Sequence, residues 1–194
     1  MSASPLVRLT DAAGPLPPIS LAVTPGLGVV LGGEGRGKTM VLRWLAGQLV
    51  PTSGALSRAT AEAWLEDPSD PAADALPAAA WLAERRPRHP AWSAATESAL
   101  AEALGLVEHL AKPLYMLSTG SRRKLGLLGA AASGAPLTLL DGPWAALDAR
   151  SGRVLDELLA EAADGRERAW AVADYAWPDR LAGLPLAWRL DLGD

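Results

Sequence analysis

Gly32-Gly-Glu-Gly-Arg-Gly-Lys38-Thr39 sets glycines around one lysine and one hydroxyl. The spacing is a glycine, four residues, then Gly-Lys-Thr, which suits the grip of a chain on phosphate. Glycines let the backbone curl until successive N–H groups face one anion. A helix starting at that point adds roughly half a positive charge. Lys38 would then reach the outer phosphates of a nucleoside triphosphate, and the Thr39 hydroxyl would ligate Mg²⁺. The expected cradle is Gly32, Gly33, Glu34, Gly35, Arg36, Gly37, Lys38 and Thr39. The bland alternative is a glycine turn that merely precedes a helix. Against it stand the apolar run Gly28–Leu31 ahead of the turn and an apolar helical stripe behind it, at 41, 42, 44, 45 and 49.

A metal held by Thr39 needs a carboxylate on its far side. Pro136-Leu-Thr-Leu-Leu140 is a continuous apolar run that ends at Asp141, as a buried parallel strand would end. Asp141-Gly-Pro is also a good turn sequence, so a turn or cap aspartate is the competing reading. Beside the glycine loop, Thr39 and Asp141 become the expected metal ligands.

Other elements must position these residues. Leu6–Leu9 and Ile19–Val23 read as strands, bounded by Gly and Pro. Met40–Leu49 is the helix after the loop, ended by Gly47 and Pro51. Ala61–Pro77 is acidic and proline-interrupted and reads as solvated and irregular. Ser93–Leu104 is a helix with Ser93 as N-cap, and another helix starts near Ser121. Gly152–Ala163 is amphipathic, and Ala169–Ala173 and Leu184–Leu190 are late strands. Strands alternating with helices imply an α/β fold with a mainly parallel sheet.

Leu117-Ser-Thr-Gly-Ser-Arg-Arg-Lys124 narrows the class. It resembles the signature of ATP-binding cassette (ABC) ATPases, Leu-Ser-Gly-Gly-Gln followed by basic residues. Leu117, Ser118 and Gly120 match, while Thr119 and Ser121 depart. A serine and backbone N–H groups at a helix start make a second anion site; a serine cap on an ordinary basic helix is the alternative. Ala145-Ala-Leu-Asp148 resembles the family's D-loop, and Thr24-Pro-Gly26 and Pro51-Thr-Ser-Gly54 are similar to its phrasing elsewhere. The resemblance spans about Leu6 to Leu190. It leans toward short stand-alone subunits such as the cytochrome c maturation (haem exporter) ATPase. It implies a single ATP-binding domain over 1–194: a P-loop NTPase core at 1–86 and 125–194 with an N-terminal antiparallel β part, and a small helical subdomain at about 87–124. It further implies ATP and Mg²⁺ as ligands, Ser118 and Gly120 closing on the γ-phosphate of a second subunit, and a homodimer or heterodimer with another ABC ATPase subunit. The dimer would sit on the inner face of the cell membrane through a transmembrane permease subunit.

The sequence departs from the family at hydrolytic positions. Where a glutamate polarises the attacking water, this chain has Gly142. Where the switch histidine follows a strand, Tyr175 or Asp174 stands. The Q-loop glutamine falls near Arg86, in a cluster with Arg85 and Arg88 that also reads as plain solvated surface, with His89 close by. No aromatic residue in 1–33 is available to stack on adenine. Phosphate-binding positions are kept and hydrolytic ones lost, which implies Mg-nucleotide binding with weak turnover. A positioned general base contributes about 10²–10⁴-fold in rate.

Composition trims the alternatives. The 194 residues suffice for one domain with a sizeable core, at 49% hydrophobic. A net charge of −4 argues against a nucleic-acid partner. No cysteine is present, and His89 and His109 alone do not make a zinc site. No secretion signal or spanning segment is visible, so a cytoplasmic protein is expected. Two other functions remain open: a nucleotide-sensing regulator without transport, and a P-loop small-molecule kinase with Arg85–Arg88 as its lid. The segment Leu117–Lys124, placed before Asp141, speaks against the kinase.

Overall fold

The computed structural model describes residues 4–65 and 67–193, which form two compact units. The first unit takes Met1–Leu65, Pro136–Gly142 and Leu159–Asp194; the second takes Glu66–Ala135 and Pro143–Leu158. Among the described residues no helix is long and apolar enough to cross a membrane.

The strands of the first unit are, in chain order, β1 (Val7–Ala13), β2 (Ile19–Val23), β3 (Gly26–Leu31), β4 (Ser53–Arg58), β5 (Ala63–Trp64), β6 (Leu137–Asp141), β7 (Ala169–Asp174) and β8 (Trp188–Asp191); helix α1 (Lys38–Ala46) follows β3. β2, β1 and β4 form an antiparallel sheet in that order. The other five form a parallel sheet, ordered β5-β6-β7-β3-β8. The α/β class, the mainly parallel sheet and the N-terminal antiparallel part are therefore as the sequence implied. β3 is buried along its whole length, as its unbroken apolar run requires of a strand with neighbours on both edges. Val30, Leu139, Ala171 and Ala173 of the sheet bury against Val41, Leu42, Trp44 and Leu45 of α1 in one core.

The late strand begins at Trp188 rather than Leu184, and its tryptophan explains a glycine in the middle of β3. The Trp188 ring occupies the space where a Cβ on Gly28 would stand. A flat indole thus lies directly on the neighbouring strand's backbone, a close approach only glycine permits. The described part of the stretch 61–77 is more regular than its composition suggests. Ala63-Trp64 pairs with β6, and Trp64 is 1% exposed. Asp70 caps a 3₁₀ turn at Pro71–Ala73 through the Ala72 N–H. Burying one large apolar ring outweighs the local charge and proline content.

The second unit is helical: α2 (Ala78–Arg85), α3 (Ala94–Ala103), α4 (Thr119–Ala132) and the first part of α5 (Ala149–Asp164). The Ser93 hydroxyl accepts the Thr96 N–H at 3.1 Å and caps α3, as expected. α4 starts two residues before Ser121, because Ser118 supplies the cap. Arg122 binds Asp74 Oδ1 at 2.6 Å and the Pro68 carbonyl at 3.2 Å, fastening the turn at 68–74 to α4. Arg85 stacks 3.7 Å over the buried Trp81 ring.

Replacing Gly28 with alanine should lower the unfolding free energy by about 1–3 kcal/mol, because Trp188 must leave its place. Gly152→Ala, in a helix with open space around the added methyl, should be neutral or stabilising by up to about 1 kcal/mol. Urea unfolding of both variants measures the contrast.

Candidate nucleotide site

β3 delivers the chain, at the buried Leu31, straight into the glycine turn. The turn is backed by the chain after β8: Leu192 N–H donates to Leu31 O at 2.8 Å, and Gly33 N–H to Gly193 O at 2.9 Å. Gly37 is the N-cap of α1 and sits at φ 87°. A Cβ there would also lie 2.6 Å from Leu16 Cδ2, so both conformation and space require glycine. Beyond it α1 begins with Val41 N–H donating to Gly37 O at 3.0 Å. Gly32 and Gly33 are buried, whereas Glu34, Gly35 and Arg36 are exposed. Nothing stands within 4 Å of the point where a Gly35 Cβ would be, so the loop is open on that side.

Lys38 lies across the loop. Its Nζ donates to the carbonyls of Gly32 at 2.6 Å and Gly33 at 2.7 Å, which holds the ammonium over the curl. Thr39 Oγ1 donates to Asp141 Oδ2 at 2.5 Å, joining the start of α1 to the tip of β6. The three oxygens of this pair suit Mg²⁺, which takes one or two carboxylates and completes its octahedron with water and phosphate. The cradle and the donor set therefore fit a magnesium nucleotide.

Strand register fixes who sits beside whom at this edge. Leu31 pairs with Asp174 across β3–β7, and Asp141 pairs with Ala173 across β6–β7. Gly142 follows Asp141 at φ 52°, its N–H bonded to Ala173 O at 2.8 Å. No heavy atom lies within 4 Å of where its Cβ would stand. Asp174 ends β7, half-buried, and its Oδ1 accepts the Tyr175 N–H at 2.7 Å. Tyr175 is 66% exposed. The first unit thus gathers Gly32 through Thr39, Asp141, Gly142, Asp174 and Tyr175.

Ser118, Gly120 and Arg86 belong to the second unit. Ser118 is exposed, and its Oγ accepts the Ser121 N–H at 3.1 Å, capping α4. A Cβ on Gly120 would lie 2.6 Å from the Ala146 carbonyl, and Ala146 itself is held at φ 61°. Arg86 donates to both carboxylate oxygens of Glu97, at 3.2 and 2.6 Å, and Glu97 also accepts the Trp92 indole N–H at 2.8 Å. Its charge is engaged within its own unit. The sequence reading missed a tie between Lys124 Nζ and Asp148 Oδ2 at 2.6 Å. Both residues stood in recognised motifs, but nothing in their spacing says that the loop after Asp141 folds back on α4. Lys124 and the Ser151 N–H hold the Asp148 carboxyl well below the usual carboxylate range.

A parallel sheet whose β3 runs through a glycine loop into α1, with a carboxylate brought to the first-turn threonine from two strands away, defines a P-loop nucleoside triphosphatase fold. The ABC transporter family model matches residues 16–145. Among curated proteins, the cytochrome c biogenesis ATP-binding export protein CcmA of Paramagnetospirillum magneticum is 37% identical over 149 residues, 69% of this chain and 68% of that one. Its counterpart from Hyphomonas neptunium is 33% identical over 147 residues, 73% of this chain and 72% of that one. Of solved structures, an ABC transporter ATP-binding protein from Pyrococcus furiosus superimposes with a TM-score of 0.72 at 20% identity, covering 96% of both chains. The ATP-binding subunit of another ABC transporter gives 0.71 at 19%, covering 87% and 79%. The chain belongs to the ABC transporter family, as one of its ATP-binding proteins.

The Asp148 carboxyl is depressed in the folded chain, so its bonds contribute above the unfolded carboxylate pKa of about 3.9 and fade as pH falls below it. Lys124→Ala should bring the Asp148 titration back toward the ordinary carboxylate range, visible in the carboxyl carbon shift by NMR. An unmoved titration would assign the depression to the Ser151 N–H alone.

Proposed function

We propose that this chain is the energising subunit of an ABC transporter, one that grips Mg²⁺–ATP firmly and cleaves it slowly. The observation carrying this is the pairing of an assembled Thr39–Asp141 contact with a bare Gly142 beside it. Loop N–H groups between Glu34 and Thr39 would wrap the phosphates, with Lys38 turning from the Gly32 and Gly33 carbonyls to the β- and γ-phosphates. Thr39 and Asp141 would hold Mg²⁺, which when bound neutralises charge on the phosphate oxygens. At position 142 no side chain exists to orient or deprotonate water. The backbone there also disfavours one, since a left-handed φ costs an L-residue roughly 1–2 kcal/mol.

Two copies, or this chain and a second ABC ATPase subunit, would close with Ser118 and Gly120 of one against the nucleotide of the other. The exposed hydroxyl of Ser118 at the start of α4 supports that role. The likeness to CcmA export proteins supports a membrane permease as partner, a cytoplasmic place at the membrane's inner face, and a haem-exporter-like system. We read the chain as one ATP-binding domain, with the helical part between Arg85 and Leu117 as its permease-facing surface.

Titration with a fluorescent ATP analogue and Mg²⁺, followed by light scattering, tests this. Binding should be clear in the natural chain and at least about tenfold weaker in Lys38→Ala, which removes the charge on the phosphates. Closed dimers should accumulate with ATP. A steady turnover of the isolated chain above about 1 s⁻¹, ordinary for an enzyme, would overturn the slow-hydrolysis reading.

A further inference from the structure

The turn between β1 and β2 leans on the phosphate loop. We propose that Leu16 is the surface against which the nucleoside of a bound triphosphate rests, and that this site accepts nucleoside triphosphates whatever their base; this rests on the ATP-binding reading above. The three heavy atoms nearest to where a Gly37 Cβ would stand all belong to Leu16: Cδ2 at 2.6 Å, Cδ1 at 2.8 Å and Cγ at 3.0 Å. A half-buried aliphatic side chain therefore abuts the backbone at the N-cap of α1, where the cradle meets the helix. Asp141 reaches the same helix start from the other flank. In the sheet order β5-β6-β7-β3-β8, β6 lies on one side of β3, whereas β2, which leads out of the turn, lies against β8 on the other. Magnesium held by Thr39 and Asp141 bridges the β- and γ-phosphates. The α-phosphate and its nucleoside then extend away from Asp141, toward Leu16.

The turn is held firmly and offers little to read a base with. At its foot the Asp11 N–H donates to Ser20 Oγ at 2.9 Å, and that hydroxyl donates to Asp11 Oδ1 at 3.0 Å. Ala13 O accepts the Thr52 N–H at 2.7 Å. A Cβ on Gly14 would meet Trp44 Cζ2 of α1 at 3.2 Å, so the turn also rests on the helix body. Pro15, Pro17 and Pro18 fix φ within the stretch 14–18. A turn ordered in advance loses little entropy on binding. The same stretch, Gly-Pro-Leu-Pro-Pro, carries no side-chain donor or acceptor. Proline also lacks an N–H, so Gly14 and Leu16 alone keep a backbone donor there. Bases are told apart by the donors and acceptors on their edges, and an apolar surface discriminates weakly. An aliphatic side chain gives contact to any base and matches the edge pattern of none. Affinity then comes mainly from the phosphates and the metal, with the base left unselected.

Calorimetric titration in Mg²⁺ with ATP, GTP, CTP, UTP and inorganic tripolyphosphate tests this. The natural chain should bind the four nucleotides within about tenfold of one another. Leu16→Ala should weaken all four by about fourfold or more and leave tripolyphosphate within about twofold. Leu16→Tyr, which brings a ring to the same place, should tighten the nucleotides by about fivefold or more, the purines most. The base series and the tyrosine variant hold whether or not alanine loosens the turn. A natural chain that prefers one base by more than about tenfold would overturn the proposal while leaving triphosphate binding standing. Nucleotide affinities unchanged in both variants would overturn it as well. So would a loss in Leu16→Ala that falls equally on tripolyphosphate, since Leu16 would then only shape the loop. Failure of the natural chain to bind any nucleotide or tripolyphosphate would overturn the underlying ATP-binding reading instead.

Discussion

Thr39 Oγ1 and Asp141 Oδ2 meet at 2.5 Å although 102 residues separate them in the chain. The rest of the first unit can be understood as what that meeting demands. The hydroxyl stands at the start of a helix fed by β3, and the carboxylate at the end of β6, so both strands must run parallel and finish level. β7 between them sets the level through two ladders, Leu31 with Asp174 and Ala173 with Asp141. A slip of one residue would move a tip by about 3.3 Å and turn its side chain to the other face. Buried apolar strands resist such slips, because each would bring polar edges into the core.

The second unit follows a similar rule with different materials. The start of α4 combines an exposed hydroxyl with a backbone held still. The Ser118 cap supplies the first. The second comes from the stretch after Pro143: the Ala146 carbonyl packs on the bare Gly120, Lys124 grips Asp148, and the Trp144 indole bonds Asp156 at 2.9 Å. Arg86 illustrates how a charged side chain settles when a carboxylate is in reach. Its two bonds to Glu97 make it part of a local scaffold with Trp92.

What the sequence disclosed tracks how strongly each residue's type constrains its surroundings. β3, β6 and β7 were legible because fully buried strands leave unbroken apolar runs, and α1 because a glycine loop and Gly47 bracket it. The cap at Ser93 was legible for the same local reason, whereas a cap at Ser118 stood only as the alternative to a second anion site. β4 left no such trace: it is an edge strand with no buried residue, and Ser53-Gly-Ala-Leu-Ser-Arg58 carries no apolar run. β5 was hidden in an acidic, proline-rich stretch, where a single buried tryptophan decides the outcome. At the site, Thr39, Lys38 and Asp141 could be named from motif and order. The neighbourhood of Asp174 and Gly142 could not, because it is a property of register between strands far apart in sequence. The positive φ of Gly142 was equally hidden, since glycine permits that conformation without announcing it.

That φ of 52° also bears on exchange at position 142. A side chain added there would find open space yet sit on a left-handed backbone, which costs an L-residue roughly 1–2 kcal/mol. Room alone therefore does not make the position permissive: a larger residue would be admitted sterically and opposed conformationally.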